Sequence, residues 1–195
     1  MEKRRQGESR EAFKQRWLAE HAARKCVITL ATGEVALGGA ESQFDGMSAE
    51  YFPSADAARA AAAKLSGEIV LACDEHLMSE KPQPVANIKI IRTVYRRHDL
   101  THAQFKDYWL KNHSKLEDRV IAESPVQRIV ATFAILEPGK DPAIDGMVEL
   151  YFKNAEDIRA MFAGPIPAMM RKDEENFVQM DAPAIRAVCE EQVIS

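Results

Sequence analysis

The sequence predicts an α+β protein in which one β-α-β-β-α-β unit occurs twice. Three residues spaced four apart recur at a constant offset of 92: Phe13, Trp17 and His21 correspond to Phe105, Trp109 and His113. An Asp-Gly-Met tripeptide followed by Tyr-Phe recurs at an offset of 100, at residues 45–52 and 145–152. Tandem copies of this kind predict a pseudo-symmetric protein, in which a pocket in one copy has a counterpart in the other.

The second copy predicts every element of the unit, beginning with a strand and a helix. Residues 88–95 are rich in β-branched side chains, as strands are. Thr101 and Gln104 have the spacing of a helix-capping box. The recurring Phe, Trp and His of this copy then lie on one face of the helix, because they are four residues apart. The remaining elements are two strands, a helix and a closing strand, at 126–136, 147–152, 154–161 and 184–193.

The first copy predicts the same order in incomplete form. Its elements are a helix, two strands and an alanine-rich helix, at 9–24, 26–31, 47–52 and 55–64. Because Met1 aligns with Thr93, most of the opening strand is absent. The closing strand is in doubt because Pro82 and Pro84 cannot donate to a strand ladder. Truncation of this copy and completion of its sheet by strands from elsewhere are the two open alternatives.

This order of elements is the one found in ferredoxin-like domains. A four-stranded sheet with helices on one face must bury its other face. Two fused copies can do so by pairing sheet to sheet, so the sequence predicts a pseudo-dimeric α/β barrel with a truncated first repeat. The predicted units are residues 1–84 and 85–195. A homodimer formed where the first copy lacks strands is a further alternative.

Composition and motifs disfavour several classes of protein. A net charge of −4 without a basic stripe argues against nucleic-acid binding. Three widely spaced cysteines provide neither a disulfide framework nor a zinc pattern. The sequence shows no signal peptide and no apolar run of about 20 residues, so we expect no membrane association and a cytoplasmic location. Without a phosphate-binding glycine loop, a dinucleotide fingerprint or metal-ligand spacing, no cofactor or metal is expected.

A more specific pattern runs from the end of the strand at 88–95 through the following helix. It comprises Tyr95-Arg96-Arg97, Thr101, Phe105, Tyr108-Trp109 and His113. With these residues the chain resembles the EthD-domain family of dimeric α/β-barrel proteins, over most of residues 87–195. A weaker copy covers 1–84, where Arg16 replaces Tyr108 and Asp74-Glu75 matches Asp173-Glu174. The resemblance implies a role in aromatic or polyketide metabolism, with muconolactone isomerases, polyketide cyclases, dehydratases and cofactor-free monooxygenases among the wider relatives.

The catalytic candidates are His113, Tyr108 and His21. Histidine moves protons near neutral pH, and His113 ends an aromatic stripe that is expected to face the space between helix and sheet. The alternative is a structural histidine bonded to a backbone carbonyl, which is favoured more for His21. Tyr108 can donate to a substrate oxygen. Its counterpart Arg16 makes the copies unequal and favours one productive site, in the second copy.

The substrate-binding candidates are aromatic and basic residues near this helix: Trp109, Trp17, Phe105, Tyr151, Arg96 and Arg97. The tryptophans can stack on an aromatic substrate, and an arginine can hold a carboxylate at two points. Core packing or a solvated strand end is the alternative for each. Asp145 is explained by turn chemistry before a glycine, Asp173 by helix-surface charge, and His102 is expected to be exposed.

The leading hypothesis is a cofactor-independent lyase or isomerase acting on a small aromatic, lactone or polyketide-like compound in catabolism. Dehydration, decarboxylation and double-bond migration need only a base, a donor to an oxyanion and a group that holds a carboxylate. The alternatives are a cofactor-free monooxygenase and a non-catalytic protein that binds a hydrophobic ligand. Whether oxygen is consumed separates the first two, and binding without product identifies the third.

Overall fold

A computed structural model describes residues 1–33, 44–67 and 69–195. Within these ranges seven strands form one antiparallel sheet in the order β2-β1-β7-β4-β6-β5-β3. The strands are β1 (Cys26–Ala31), β2 (Gly46–Ala49), β3 (Cys73–Glu80), β4 (Ile88–Val94), β5 (Arg128–Ala134), β6 (Gly146–Phe152) and β7 (Arg186–Ile194). The helices are α1 (Arg10–His21), α2 (Ala55–Ala62), α3 (His102–Tyr108), α4 (Ser114–Glu123), α5 (Ala155–Ala163) and α6 (Ile166–Glu174), and a π-helical turn (Trp109–His113) joins α3 to α4.

The second copy folds as its sequence predicts. Its strands lie in the order β7-β4-β6-β5, which is the fourth, first, third and second strand of a ferredoxin-like unit. The capping box is present at the start of α3: the Thr101 hydroxyl accepts from the Gln104 backbone, and the Gln104 side chain accepts from the Thr101 backbone at 2.8 Å. This box satisfies two of the otherwise unpaired amides of the helix start.

The two copies join into a pseudo-dimeric half-barrel because the second strand of each copy pairs with the fourth strand of the other. The second strand of the first copy, β1, pairs with β7, the fourth strand of the second copy. The second strand of the second copy, β5, pairs with β3, the fourth strand of the first copy. The predicted sheet-to-sheet barrel is therefore confirmed, while the unit boundary between residues 84 and 85 stays a prediction.

One strand position, between β2 and β3, is filled only at one end within the described residues, and we call it the seam. Glu2 forms a bridge with Gly46, in the place where Val94 of β4 pairs with Gly146 in the second copy. The Met1 amino group donates to the carbonyl of Ile69 at 2.8 Å. The sequence-based alignment of Met1 with Thr93 matches this register, because the Thr93 amide donates to the equivalent carbonyl of Ile185.

The closing strand of the first copy corrects the sequence prediction. It is β3, which ends at Glu80 before the two prolines, so the prolines terminate the strand and do not replace it. Asp74 and Glu75 lie in this strand, whereas Asp173 and Glu174 lie in α6, so the proposed match between these pairs is wrong. The strand escapes detection because it runs along a sheet edge and carries polar residues on both faces.

The packed core lies mainly in the second copy. On the helix side of its sheet, one cluster surrounds Phe152 and a second surrounds Phe105 and Trp109. In the first copy α1 packs Phe13 and Trp17 on β1, but α2 buries no residue. In the strand position that a helix here would cover, the described chain provides only the bridge at Glu2. No helix in the described part of the chain is long and apolar enough to span a membrane.

Candidate functional site

A cleft of about 1220 Å³ occupies the seam. Its walls come from α1, β2, α2, the chain that leads from α2 to β3, and the start of α3. An apolar surface is provided by alanines on α2, namely Ala55, Ala58, Ala61 and Ala62. Trp17 and His21 are the two sequence-predicted site residues that line the cleft. The cleft therefore depends on the incomplete copy, although the sequence favoured a site in the complete one.

Three buried polar atoms on the cleft lining have no hydrogen-bond partner among the described residues. They are Trp17 Nε1, His102 Nε2 and Thr132 Oγ1. Buried polar groups are normally paired, because leaving one unpaired costs about 1–3 kcal/mol. Three other unpaired atoms belong to residues outside the cleft lining. The three on the cleft are candidate partners for a polar ligand.

His21 and Trp17 form the first polar element of the cleft. His21 Nδ1 lies 2.8 Å from the Trp17 carbonyl oxygen. Because a carbonyl only accepts, Nδ1 carries the proton, and in the neutral ring Nε2 has the free lone pair. The two rings are 4.3 Å apart. A basic nitrogen and an unpartnered indole N–H thus lie side by side.

His102 and Asp145 form the second polar element, which the sequence prediction missed. His102 Nδ1 lies 3.1 Å from Asp145 Oδ1, and the side chains are 9% and 7% exposed. The expectation of an exposed His102 is wrong, because α3 places this residue against the buried Asp145. The signal available in the sequence was the recurrence of Asp145 as Asp45. In the structure, each of these carboxylates accepts a hydrogen bond from the backbone amide of an arginine, Arg96 or Arg4.

The two arginine candidates lie outside the cleft lining. Arg96 contacts Asp145 through its guanidinium and Asp141 at 2.7 Å, and its hydrogen bond with Asp145 raises its pKa. Arg97 pairs with Asp99 at 2.6 Å and also donates to carbonyls at the end of α6. Both guanidiniums are thus engaged within the chain, and their role in holding a substrate carboxylate stays a prediction. Arg24, bonded to Glu50 at 2.9 Å, is the arginine that lines the cleft.

His113 and Tyr108 converge on Asp173 of α6, away from the cleft lining. His113 Nδ1 lies 2.7 Å from Asp173 Oδ2, and the Tyr108 hydroxyl donates to Oδ1 at 3.0 Å. Phe177 packs against both rings. Burial lowers the pKa of His113 in spite of its carboxylate partner. The interpretation of Asp173 as surface charge is wrong, whereas the catalytic role of His113 and Tyr108 stays a prediction.

Trp109, the first residue of the π-helical turn, and Phe105 of α3 are both buried in the core. Trp109 Nε1 donates to Glu117 Oε1 at 3.0 Å, and burial raises the pKa of Glu117 to about 7. Phe105 is fully buried and packs against Trp109 and Phe133. The structure gives both aromatic residues a packing environment, and their contact with a substrate stays a prediction.

A buried charge cluster inside the barrel was also missed by sequence reasoning. Lys89 Nζ is 2.6 Å from both Glu149 and Glu191, and the Tyr151 hydroxyl lies 2.8 Å and 2.9 Å from the same carboxylates. Burial opposes the charge of Lys89, but the two carboxylates outweigh it and raise the lysine pKa. Burial and both carboxylates also raise the pKa of Tyr151, so it stays a neutral phenol. The strand pattern does not mark Lys89, because alternation shows which residues share a face of the sheet but not that a charged residue among them is buried.

Part of this cluster reaches the cleft. Glu149 lines it together with Tyr51 and Glu75, whose hydroxyl and carboxylate are 3.2 Å apart. Burial raises the pKa of both Tyr51 and Glu75. Among the residues that the structure describes, no group of three or more His, Cys, Asp or Glu side chains is placed to hold a metal ion.

Comparison with known proteins supports the fold and identifies one domain. An anthrone oxidase-like protein matches 100% of this chain and 90% of its own, with a TM-score of 0.61 and 7% identity. An ethyl tert-butyl ether D family protein from Bacillus halodurans matches 54% of this chain and 96% of its own, with a TM-score of 0.39 and 15% identity. A dimeric protein of unknown function from Bacteroides fragilis, also ferredoxin-like, matches 54% and 94%, with a TM-score of 0.39 and 16% identity.

The remaining comparisons concern sequence alone. No curated protein matches the chain significantly. The EthD domain family model matches residues 97–181, which begin at Arg97 and include α3, the π-helical turn and α6. These residues contain the Phe, Tyr-Trp and His pattern on which the resemblance rested. Residues 97–181 therefore match the EthD domain that the sequence pattern predicts.

Proposed function

We propose that this protein is a cofactor-independent enzyme that removes a proton from a small enolisable aromatic or polyketide-like compound bound in the cleft. The observation that carries the proposal is the pairing of His21 with Trp17. The histidine has a fixed tautomer with Nε2 as the acceptor, and the buried indole N–H beside it has no partner in the described residues. A base next to a hydrogen-bond donor is the minimal set for forming an enolate.

The chemistry assigns one task to each side chain. His21 Nε2 takes the proton from carbon, and Trp17 Nε1 donates to the oxygen on which negative charge develops. The alanine face of α2 covers the apolar body of the compound. Arg24 lines the cleft, and a substrate carboxylate would take the place of its partner Glu50, since a guanidinium binds carboxylates at two points. General-base catalysis of this kind contributes about 10²–10⁴-fold to the rate.

The carbanion has two fates, which distinguish the two enzyme hypotheses. In the monooxygenase, it reduces molecular oxygen: a CH₂ group becomes C=O, one oxygen atom stays on carbon and the other leaves as water. The substrate supplies the electrons, so no other reductant is needed. The fold match to an anthrone oxidase-like protein supports testing this fate first. In the lyase or isomerase, the carbanion is reprotonated elsewhere or expels a leaving group, and oxygen is not consumed.

The test measures turnover of anthrone and related enolisable compounds in an oxygen electrode, with product analysis in air and under nitrogen. We expect His21→Gln to lower kcat by about 100-fold, whereas the matched change His113→Gln lowers it by less than about tenfold. Oxygen uptake that matches product formation supports the monooxygenase. Turnover without oxygen uptake supports the lyase or isomerase, and binding without any product supports the non-catalytic alternative. Unchanged turnover by His21→Gln would show that another group is the base.

A homodimer and a cytoplasmic location remain predictions from the sequence. Light scattering of the purified protein checks the first, and a fluorescent fusion checks the second. A homodimer formed at the seam would cover the cleft, so the first result bears directly on the assignment of His21.

A further inference from the structure

His102 and Arg10 occupy equivalent positions, 92 residues apart, but they use them differently. Each is the first residue of a helix and contacts the aspartate before the recurring glycine of its copy, Asp145 or Asp45. Arg10 Nη1 lies 3.1 Å from Asp45 and also reaches the Ala31 carbonyl. His102 contacts Asp145 through Nδ1, and its Nε2 is buried without a partner in the described chain. Arginine at this position completes its contacts, and histidine leaves one open.

The surroundings define what the open atom can bind. Asp145 accepts from Nδ1–H and so leaves the lone pair of the neutral ring on Nε2. Arg96 also pairs with Asp145, on the same oxygen that His102 contacts. His102 lines the cleft, and its side chain is 9% exposed. The group that completes Nε2 is therefore a hydrogen-bond donor that enters through the cleft.

We propose that His102 Nε2 accepts a hydrogen bond from a hydroxyl group of the ligand in the cleft, so that the substrate is a phenol or enol with a free hydroxyl. The inference rests on the proposed function for the location of the ligand and specifies its chemical class. Asp145 is a positioning residue in this site, because it fixes the His102 tautomer. His102 recognises the hydroxyl, while His21 acts on carbon.

The test uses two probes that cannot be turned over by proton removal from carbon next to a carbonyl: 2-naphthol and 2-methylnaphthalene. They differ by a hydroxyl in place of a methyl group, so the ratio of their dissociation constants measures recognition of the hydroxyl. We expect the wild-type protein to prefer 2-naphthol by about three- to tenfold, as one net hydrogen bond allows. Calorimetric titration of the full chain measures both constants.

The informative variant is His102→Arg, which copies the first copy's own solution. Arginine has no acceptor atom but can still pair with Asp145, as Arg10 does with Asp45, so the fold is expected to survive. This variant should lose the preference for 2-naphthol. The matched control Arg10→His changes the equivalent position outside the cleft lining and should keep it. His102→Leu provides a second, uncharged removal of the acceptor, with thermal unfolding as the check on folding.

Two results would overturn the proposal. The first is no preference, or no binding of either probe, in the wild type, and the second is a preference that survives in both His102 variants. If the surviving preference disappears in Thr132→Val, the hydroxyl is assigned to Thr132 Oγ1 instead. Probe binding does not require turnover. Failure of the proposed enzyme activity would therefore leave this result readable, and failure of hydroxyl recognition would leave the role of His21 standing.

Discussion

The first and second copies show how one set of landmarks produces a cleft in one place and a core in another. Between β7 and β6 the second copy places β4, and the helix above it packs against a complete sheet. At the seam the described chain provides only the bridge at Glu2. Trp109 Nε1 consequently finds Glu117, whereas Trp17 Nε1 has no partner in the described chain and lines the cleft. The two equivalent tryptophans are both buried, but only Trp17 of the first copy also lines the cleft and is a ligand-binding candidate.

The largest expected effect on stability comes from β4, whose equivalent in the described first copy is only the bridge at Glu2. The variant Lys89→Met tests this effect. Lys89 is 2% exposed and compensates both Glu149 and Glu191. Methionine keeps the volume but leaves two carboxylates close together in the barrel. Breaking a buried ion pair in this way costs about 3–5 kcal/mol. For a chain of this length we expect the midpoint of thermal unfolding to fall by roughly 6–20 °C.

The control for this change is Lys14→Met, which removes an exposed pair between Lys14 and Glu190 at 3.8 Å. Exposed pairs contribute about 0–1 kcal/mol, so its midpoint should barely move. Equal midpoints for the two variants at neutral pH would show that the barrel cluster does not stabilise the fold.

The next prediction compares the glycines at the start of β2 and β6. A Cβ on Gly146 would lie 2.9 Å from the backbone oxygen of Thr132, whereas a Cβ on Gly46 would lie 2.8 Å from the end of the Phe13 ring. A ring can shift, but the Thr132 carbonyl is held in the β5–β6 pairing. Overpacking costs about 1–3 kcal/mol, so we expect Gly146→Ala at the upper end and Gly46→Ala at the lower end, measured by urea unfolding.

Ligand binding sharpens this pair of variants. A Cβ on Gly46 would also lie 3.1 Å from Trp17 Cε2, the ring atom bonded to Nε1. Gly46→Ala should therefore weaken 2-naphthol binding through Trp17, whereas a loss in Gly146→Ala would arise at the cleft lining, to which Gly146 itself belongs. Unchanged binding in Gly46→Ala would separate Trp17 from the ligand.

The fold could be predicted from the sequence because its signals are local. The capping box at Thr101 and the Asp-Gly turns each specify a nearby backbone conformation, and their recurrence indicates the pseudo-symmetry. β3 was misplaced because an edge strand needs little apolar character. The barrel followed from the need to cover a sheet face, which is a global argument, whereas the edge pairing of β1 with β7 was not predicted.

The site was harder to predict because it depends on the strand position at the seam, which the described chain fills only at one end. His21 and His113 are equivalent in sequence, and only the neighbouring elements distinguish them. His102 and Lys89 acquire their roles through Asp145 and Glu149, which are more than 40 residues away. No spacing in a single sequence reports contacts of this kind, whereas the paired recurrence of Asp45 and Asp145 did mark one partner.

A smaller effect is expected from Glu117, the carboxyl that the first copy lacks, since Lys25 stands at the equivalent position. Burial raises the Glu117 pKa from 4.5 to about 7, so the folded state holds its proton more tightly than the unfolded state. This contribution to stability is complete below pH 4.5 and is lost as the pH rises through about 7. Between pH 5.5 and 8.5 we expect a loss of about 2 kcal/mol.

Urea unfolding at several pH values checks this, with Glu117→Gln as the matched variant. Glutamine can still accept from Trp109 but cannot ionise, so the free energy of unfolding should lose most of this pH dependence. The variant should also be the more stable protein at pH 8.5. An unchanged slope in Glu117→Gln would assign the pH dependence to another buried group.

The smallest expected effect is that of Tyr108→Phe, and it bears most directly on which copy carries the chemistry. The Tyr108 hydroxyl is committed to Asp173, and its removal costs one hydrogen bond, or about 1 kcal/mol. The thermal midpoint should fall by about 2–4 °C. Because Tyr108 lies outside the cleft lining, kcat should change by less than about threefold, far less than for His21→Gln.

The equivalent residue of the first copy provides the control. Arg16 itself lies outside the cleft lining and is engaged by Glu8 at 2.9 Å and by Glu20, so Arg16→Met should likewise affect stability more than turnover. A 100-fold loss of kcat in Tyr108→Phe alone would move the chemistry to the Asp173 cluster of the second copy. His113 would then replace His21 as the base.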